Sequence, residues 1–181
     1  MQEKLKNAII PALGLILMIG LSVAIYMLRG QTDQLAAWGY PGIFLLSFLS
    51  NATIILPAPA IALVFTLGSM LNPVAVGVIA GIGSGLGELS GYFAGATGQG
   101  LVARTDMYQR IHPIVDKYGE YAIFVLAIIP NPFFDFAGIA AGVLKMPLRK
   151  FLLWCIAGKI IKMLLIALTG AQTGNVLLGF L

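Results

Sequence analysis

Leu56-Pro57-Ala58-Pro59 and Ile129-Pro130-Asn131-Pro132 are two proline pairs that each interrupt a long apolar stretch of this sequence. Each pair removes two backbone N–H donors and sets proline rings against preceding carbonyl groups, so a continuous helix through either segment is disfavoured. Backbone groups freed at membrane depth must be shielded by protein or line a wet cavity. The pattern therefore predicts two re-entrant hairpins, within Trp38–Leu71 and Tyr121–Leu144, that turn at the prolines and leave on the side they entered.

The composition places these stretches in a bilayer. Of the 181 residues, 59% are hydrophobic and only 10% are charged, whereas a soluble domain carries about 25% charged residues. No charged residue occurs between Asp33 and Glu88. Three further stretches are long enough to cross the hydrocarbon as helices, namely Ile9–Leu28, Val74–Gly98 and Phe151–Gly170. The sequence predicts an all-α integral membrane protein with a retained N-terminal transmembrane helix.

The placement of the basic residues favours hairpins over kinked single crossings. With hairpins and a cytoplasmic N-terminus, every loop Lys and Arg except Arg29 falls inside. With kinked crossings, Arg104, Arg110 and Lys117 would also lie outside, which the positive-inside rule disfavours. Kinked crossings remain an alternative, because Trp38–Leu56 alone is long enough to span.

The two halves repeat the same order of features. Fifteen residues beyond Pro73 and Pro147, for example, lie Glu88 and Lys162, at equivalent positions of the two copies. Since each copy holds one hairpin and one full crossing, the second copy must run inverted, as in many secondary transporters. We predict one membrane domain over residues 1–181, divided into an N-terminal span and loop (1–37), a first repeat (38–100), an interfacial amphipathic helix (101–118) and a second repeat (119–174).

Four ionisable residues lie within apolar segments: Glu88, Asp135, Lys159 and Lys162. Each charge at the bilayer centre costs about 2.5–3.5 kcal/mol on insertion scales, so all four should face the protein interior or a wet cavity. One interpretation is that the carboxylates pair with the lysines and join the repeats. The other is that the lysines and the exposed amides at the hairpin breaks attract a phosphate. Asn51 and Asn131 flank the breaks and are expected mainly to satisfy backbone groups, with ligand contact as the alternative.

The sequence contains no recognisable catalytic or cofactor motif. It has no nucleophile elbow, phosphate loop or His/Cys/Asp metal spacing, and Cys155 is its only cysteine. The basic residues flank apolar spans instead of forming one solvated surface, which argues against nucleic-acid binding. We expect neither enzymatic activity nor a cofactor.

The chain resembles the DedA family, whose shared unit is the VTT (SNARE-associated) domain, from about Gly39 to Gly174. The motifs that carry the resemblance are the two proline segments, Gly87-Glu88-Leu89-Ser90-Gly91-Tyr92, Phe133-Phe134-Asp135-Phe136-Ala137-Gly138-Ile139, Gly158-Lys159 and Lys162-Met163. The second half looks closest to the vacuole membrane protein branch. The resemblance implies inverted re-entrant repeats and either phospholipid scrambling or polyprenyl-phosphate flipping.

One departure from the family bears on the choice between these activities. Flippase-like members carry an acidic residue before the first break and arginines around the second, where this chain has Asn51, Ala127 and Phe133. We therefore expect an energy-independent phospholipid scramblase; the alternatives are a proton-coupled flippase, a secondary transporter of a small solute, and a structural or partner-binding membrane protein. The expected partners are membrane phospholipids, with a homo-oligomer possible, and the expected location is the cytoplasmic membrane of a prokaryote.

Overall fold

The computed structural model describes residues 32–52, 58–97, 106–129 and 134–179. The predicted N-terminal span and Asn131, Pro57, Pro130 and Pro132 lie outside these residues. Within them the secondary structure is helical, with no strand. The helices are α1 (Thr32–Ala52), α2 (Ala58–Gly68), α3 (Pro73–Gly87), α4 (Leu89–Thr97), α5 (Asp106–Tyr118), α6 (Glu120–Ile128), α7 (Phe134–Val143) and α8 (Leu148–Gly179).

Two helical runs are long and apolar enough to cross a membrane. Pro73–Thr97, which comprises α3 and α4, has 25 residues, and Leu148–Thr173 of α8 has 26. The first run matches the predicted span Val74–Gly98 to within one residue at each end, and the second extends the predicted span Phe151–Gly170 by three residues at each end. The first run begins at a well-capped end, because the Asn72 side chain accepts hydrogen bonds from the N–H groups of Val74 and Ala75.

The two long helices pack closely and antiparallel. A Cβ atom added to Gly77 would lie 2.7 Å from Cα of Leu164, and one added to Gly81 would lie 2.5 Å from Cα of Ile160. At the next turn, Gly85 faces Ile156. The partner position falls by four residues on α8 for each rise of four on α3, so the helices run in opposite directions. Small residues at this spacing let two helix backbones approach each other.

The shorter helices α1 and α6 each pack along one of the long helices. On α1, the carbonyl groups of Phe44 and Phe48 lie against Gly83 and Gly87 of α3 respectively. The partner positions rise together, so α1 runs parallel to α3, and its last turn, at Ala52, is beside Gly87.

Helix α6 is arranged on α8 in a corresponding way. It begins at Glu120, which forms an ion pair of 3.1 Å with Lys150. Near its end, Ala127 and the carbonyl of Phe124 lie against Gly158. Helix α6 therefore also runs parallel to its long helix, and it ends beside the middle of that helix.

The remaining helices, α2 and α7, pack across the two halves. Gly170 of α8 lies against the carbonyl of Phe65 in α2, and Gly95 of α4 lies against the carbonyl of Ile139 in α7. Added Cβ atoms at Gly95 and Gly170 would overlap those carbonyls. Phe65 and Ile139 are 74 residues apart, the same offset that relates Glu88 to Lys162.

The buried apolar residues form two clusters, one on each side of a polar layer. Val76 and Ala80 of α3 belong to one cluster together with Met163 and Ala167 of α8. Tyr92 of α4 and the α8 residues Phe151 and Cys155 belong to the other cluster. Along both long helices, the positions between the clusters are occupied by buried polar residues, namely Ser84, Glu88, Lys159 and Lys162.

Helix α5 is amphipathic, as predicted, and its apolar side is covered by protein. Tyr108, Ile111 and Val115 are buried in the same cluster as residues of α6 and α7. Pro113 lies inside the helix on its exposed side. The interfacial location predicted for this helix remains a prediction, but its buried apolar stripe packs against the helix bundle.

Candidate functional site

The buried charges lie near the middle of both long helical runs. Glu88 is the sixteenth residue of the 25-residue run, at the turn between α3 and α4. Lys159 and Lys162 are the twelfth and fifteenth residues of the 26-residue run. Because the runs are antiparallel, these positions fall at a similar depth. Glu88 is 1% exposed, Lys159 2% and Lys162 8%, so the structure brings three of the predicted site residues together in the protein interior.

Glu88 is the single turn residue between α3 and α4, where helical hydrogen bonding continues. Its N–H donates to the carbonyl of Ser84 at 3.3 Å, and its own carbonyl accepts from Tyr92 N–H at 3.1 Å. The backbone of α7 comes close on the other side, since a Cβ added to Gly138 would lie 3.8 Å from Oε2 of Glu88. The carboxylate is thus reached by α8 and by the helix that follows the second proline segment.

Lys159 contacts three residues from different parts of the fold, namely the turn between α3 and α4, helix α1 and helix α7. Its Nζ donates to Oε1 of Glu88 at 2.5 Å and to Oδ1 of Asn51 at 2.8 Å. It also lies 4.4 Å from the ring centroid of Phe134, the first residue of α7, within the range of a cation–π contact. A carboxylate, an amide and an aromatic face compensate the desolvation of this ammonium group.

Asn51 connects α1 to both long helices. While its Oδ1 accepts from Lys159, its Nδ2 donates to Ser84 Oγ at 3.2 Å and to the carbonyl of Ser47 at 2.8 Å. The bond to Ser47 matches the expected role of satisfying a backbone group. The bonds to Lys159 and Ser84 show that Asn51 also belongs to the charged cluster.

Lys162 lies one helical turn beyond Lys159 and is also buried to more than nine-tenths. It makes no ion pair within 4.0 Å among the described residues, but it interacts electrostatically with both Glu88 and Lys159. The hydroxyl of Ser47, on α1 beside Asn51, is buried without a hydrogen-bond partner among the described residues. The described part of the cluster therefore holds two lysines beside one carboxylate.

The other predicted site residues are located less completely. Asp135 is the second residue of α7 and directly follows Phe134, but its side chain lies outside the description. Pro59 occupies the second position of α2, where its missing N–H costs no helical hydrogen bond. Asn131, Pro57, Pro130 and Pro132 are not described.

Three members of the cluster were not predicted from the sequence: Ser84, Ser47 and Phe134. Each serine lies four residues before a predicted site residue, Glu88 or Asn51, and residues at this spacing share a helix face. That spacing was an available signal. No group of three or more His, Cys, Asp or Glu residues within the described ranges is arranged to hold a metal ion.

Comparison with known proteins identifies the family of the chain. No curated protein and no solved structure matches it. The VTT domain, as described by its family profile, matches residues 56–172. This match includes α3, α4, α8 as far as residue 172, the two proline segments and every charged member of the described cluster. The chain therefore belongs to the VTT-domain family of membrane proteins.

Proposed function

We propose that this protein moves phospholipids between the two leaflets of a membrane as an energy-independent scramblase. Lipid headgroups would pass along the polar layer while the acyl chains remain in the bilayer. The observation that carries the proposal is the buried cluster near mid-span, where Glu88, Lys159 and Lys162 are each less than one-tenth exposed. A membrane protein retains an intramembrane charge at considerable cost, and such charges commonly mark a transport path.

The proposed route requires an inverted repeat of two re-entrant hairpins. Several contacts support this architecture: α1 and α6 each end beside the middle part of one of the two long helical runs, and these runs are antiparallel. The matching contacts of Phe65 with Gly170 and of Ile139 with Gly95 support a two-fold relation between the halves. Ala52, at the end of α1, lies beside Gly87, and Phe134, at the start of α7, contacts Lys159, so the described residues on these sides of the two breaks lie at the polar layer.

The site residues take different parts in this proposal. Glu88, Lys159 and Asn51 hold the halves together through their mutual hydrogen bonds and line the layer. Lys162 attracts the headgroup phosphate. Asp135, Asn131 and the prolines at 57, 59, 130 and 132 are assigned to the layer from the sequence motif, the prolines as the breaks that free backbone amides. The layer would offer a passing headgroup polar contacts in place of water.

The remaining assignments are part of the same proposal. The partners are membrane phospholipids, the activity is not enzymatic, and the N-terminus is cytoplasmic in the inner membrane of a prokaryote. The vacuole membrane protein branch remains a prediction from the Pro130-Asn131-Pro132 motif, since no curated relative matches.

A second candidate is a proton-coupled transporter, either a polyprenyl-phosphate flippase or a carrier of a small solute. The observation that favours it is Glu88, a carboxylate 1% exposed near mid-span that forms an ion pair with Lys159. Protonation of Glu88 would release that pair and couple a proton to a conformational change. This candidate predicts transport that follows a pH gradient and is lost in Glu88→Gln.

The decisive experiment uses the purified chain in proteoliposomes with acyl-labelled fluorescent phospholipids. Dithionite bleaches only labels in the outer leaflet, so a scramblase should let bleaching proceed past that fraction without any ion gradient. Bleaching that stops at the outer-leaflet fraction, as in protein-free vesicles, rejects the scramblase. Movement that requires an imposed pH gradient supports the second candidate instead.

A further inference from the structure

The outer side of α5 carries two cations next to two exposed apolar side chains. The opposite side of the helix is buried against the bundle through Tyr108, Ile111 and Val115. The residues that share the outer side, at helical spacing, are Arg110, Ile114, Lys117 and Tyr118. All four are exposed, and the apolar members are 41% and 54% exposed respectively. The membrane contact predicted for this helix therefore cannot use the buried stripe and has to use the outer side.

The position of α5 brings its outer side to the membrane surface. Helix α6 follows α5 after the single residue Gly119, and it begins beside the first turn of α8, where Glu120 pairs with Lys150. Because the apolar run of α8 begins at Leu148, the last turn of α5 lies at the level where that run enters the membrane. The exposed apolar residues of α6, spaced by four, are Tyr121, Val125 and Ile129. The apolar residues on the outer side of α5 thus lead directly into the exposed apolar stripe of α6.

The charges of α5 are arranged in the order that a membrane surface requires. The cations Arg110 and Lys117 lie between the apolar pair on one side and the exposed polar residues Gln109 and Asp116 on the other. Asp106 lies in the first turn, where a negative charge favours the N-terminus of the helix. A helix with this arrangement lies in the interface with its apolar flank toward the acyl chains, its cations at the level of the phosphates and its polar flank in water.

We propose that the outer side of α5 docks on anionic phospholipid headgroups of the membrane that holds the protein. Neither Arg110 nor Lys117 forms an ion pair with a described carboxylate, so both cations can meet headgroup phosphates. Lys117 lies 5.1 Å from the centroid of the Tyr118 ring, and tyrosine is enriched at membrane interfaces. A zwitterionic headgroup brings a cation together with its phosphate, whereas an anionic headgroup offers the two cations an unopposed charge. The proposal involves neither the buried cluster nor the movement of lipid.

The test measures which lipids surround α5, with a fluorescent label on one cysteine of the full chain at a time. Cys155, the only native cysteine, is replaced by serine, and the label is attached in Ile114→Cys, Val125→Cys or Gln109→Cys. The quencher is phosphatidylglycerol or phosphatidylcholine brominated near the top of its acyl chains, at the same fraction in proteoliposomes. At position 114, the association constant should favour phosphatidylglycerol by about fivefold or more. At position 125, both lipids should quench equally, and at position 109 neither should quench.

Charge variants then assign the preference to the two cations. Arg110→Gln combined with Lys117→Gln should remove the preference at position 114, whereas Arg110→Lys combined with Lys117→Arg should retain it, because both charges remain. About 1 M salt should weaken the preference in the wild type, because it screens exposed charges. The matched control is Arg149→Gln, which removes an exposed cation at the start of α8 and should leave the preference unchanged.

Four results would overturn the proposal. They are equal quenching by both lipids at position 114 in the wild type, a preference that survives the loss of both cations, a preference that disappears in Arg149→Gln, and quenching at position 109 as strong as at position 114. If position 125 is quenched and neither position on α5 is, the outer side faces water or another protein, and the proposal falls. Lipid movement is not part of this measurement, so a negative dithionite assay would reject the scramblase without affecting the docking surface.

Discussion

Replacing the charged residues of the cluster one at a time should give three distinct changes in stability. Glu88→Gln removes the carboxylate and leaves Lys159 and Lys162, which are 2% and 8% exposed, as neighbouring buried cations. Breaking a buried ion pair from one side costs about 3–5 kcal/mol. The remaining like charges repel each other, so we expect Glu88→Gln to lie at the upper end of that range.

The lysine substitutions should cost less, and by different amounts. Lys159→Met leaves Glu88 and Lys162 with one charge each, so the main loss is the charge-assisted hydrogen bonds, including that to Asn51, at about 1.5–3 kcal/mol. Lys162→Met breaks no described ion pair and removes one of the two lysines beside Glu88. Its expected effect lies within about 1 kcal/mol of zero and is as readily stabilising as destabilising.

The assay is equilibrium unfolding in mixed micelles at a fixed lipid-to-detergent ratio, with unfolding monitored by a signal that reports helix content. The double variant Glu88→Gln, Lys159→Met should lose less free energy of unfolding than the sum of the losses in the two single variants. We expect the difference to be about 1–3 kcal/mol, because the two residues contact each other. Arg149→Gln controls for removal of an exposed charge. If Lys162→Met were as destabilising as Glu88→Gln, then Lys162 would have a structural partner and the division of roles between the lysines would be refuted.

Three other substitutions test the fold around the cluster. Gly81→Leu should force α3 and α8 apart, since even its Cβ would lie 2.5 Å from Cα of Ile160. We expect the free energy of unfolding to fall by at least about 1–3 kcal/mol. The control Gly42→Ala, with nothing within 4 Å of the added Cβ, should not change it in the same unfolding assay. Lys145→Gly should stabilise the turn before α8 by about 1 kcal/mol, because Lys145 has a φ of 53° that glycine adopts without strain; an equal gain in Lys145→Ala would contradict that explanation. Hydrogen bonds from the backbone and from Lys150 lower the pKa of Glu120. The ionised carboxylate therefore stabilises the folded protein at pH values above its ordinary pKa, and this stability is lost as the pH falls through the lowered pKa. Because the pair with Lys150 is exposed, unfolding measured across acidic pH should show a small loss that salt screens and that is absent in Glu120→Gln.

The sequence was sufficient for the two long spans that the structure describes and for the inward orientation of the charges on them, whereas the ion pair was one of two interpretations that it left open. Long apolar runs and proline interruptions are local features, and local features determine where a transmembrane helix begins and ends. The isolated charges at 88, 159 and 162 also had to face inward, whatever their neighbours. The sequence therefore predicted that these charges lie inside the protein, but it did not predict which residues form the hydrogen bonds and the ion pair.

The partner of each lysine could not be read from the sequence. Residues three apart on a helix share a face, so Lys159 and Lys162 were equally available to Glu88. The choice depends on the register between α3 and α8, which the contacts of Gly77, Gly81 and Gly85 determine. The same limit applies to α5, where periodicity predicted an apolar face but did not indicate that protein would cover it.

The sign of the charges at corresponding positions explains why such a layer is tolerated. In the proposed repeat, Glu88 and Lys162 occupy equivalent places near the two-fold axis, and two like charges there would repel at close range. Opposite signs remove that repulsion, so Glu88 and Lys162 alone would form a neutral layer. Lys159 has no charged counterpart in the first copy, because no charged residue lies between Asp33 and Glu88. Lys159 forms the short ion pair with Glu88, and Lys162 lies one helical turn farther along α8 and also interacts with that carboxylate. The residue that breaks the symmetry of the repeat is therefore also the one that brings a second lysine to Glu88.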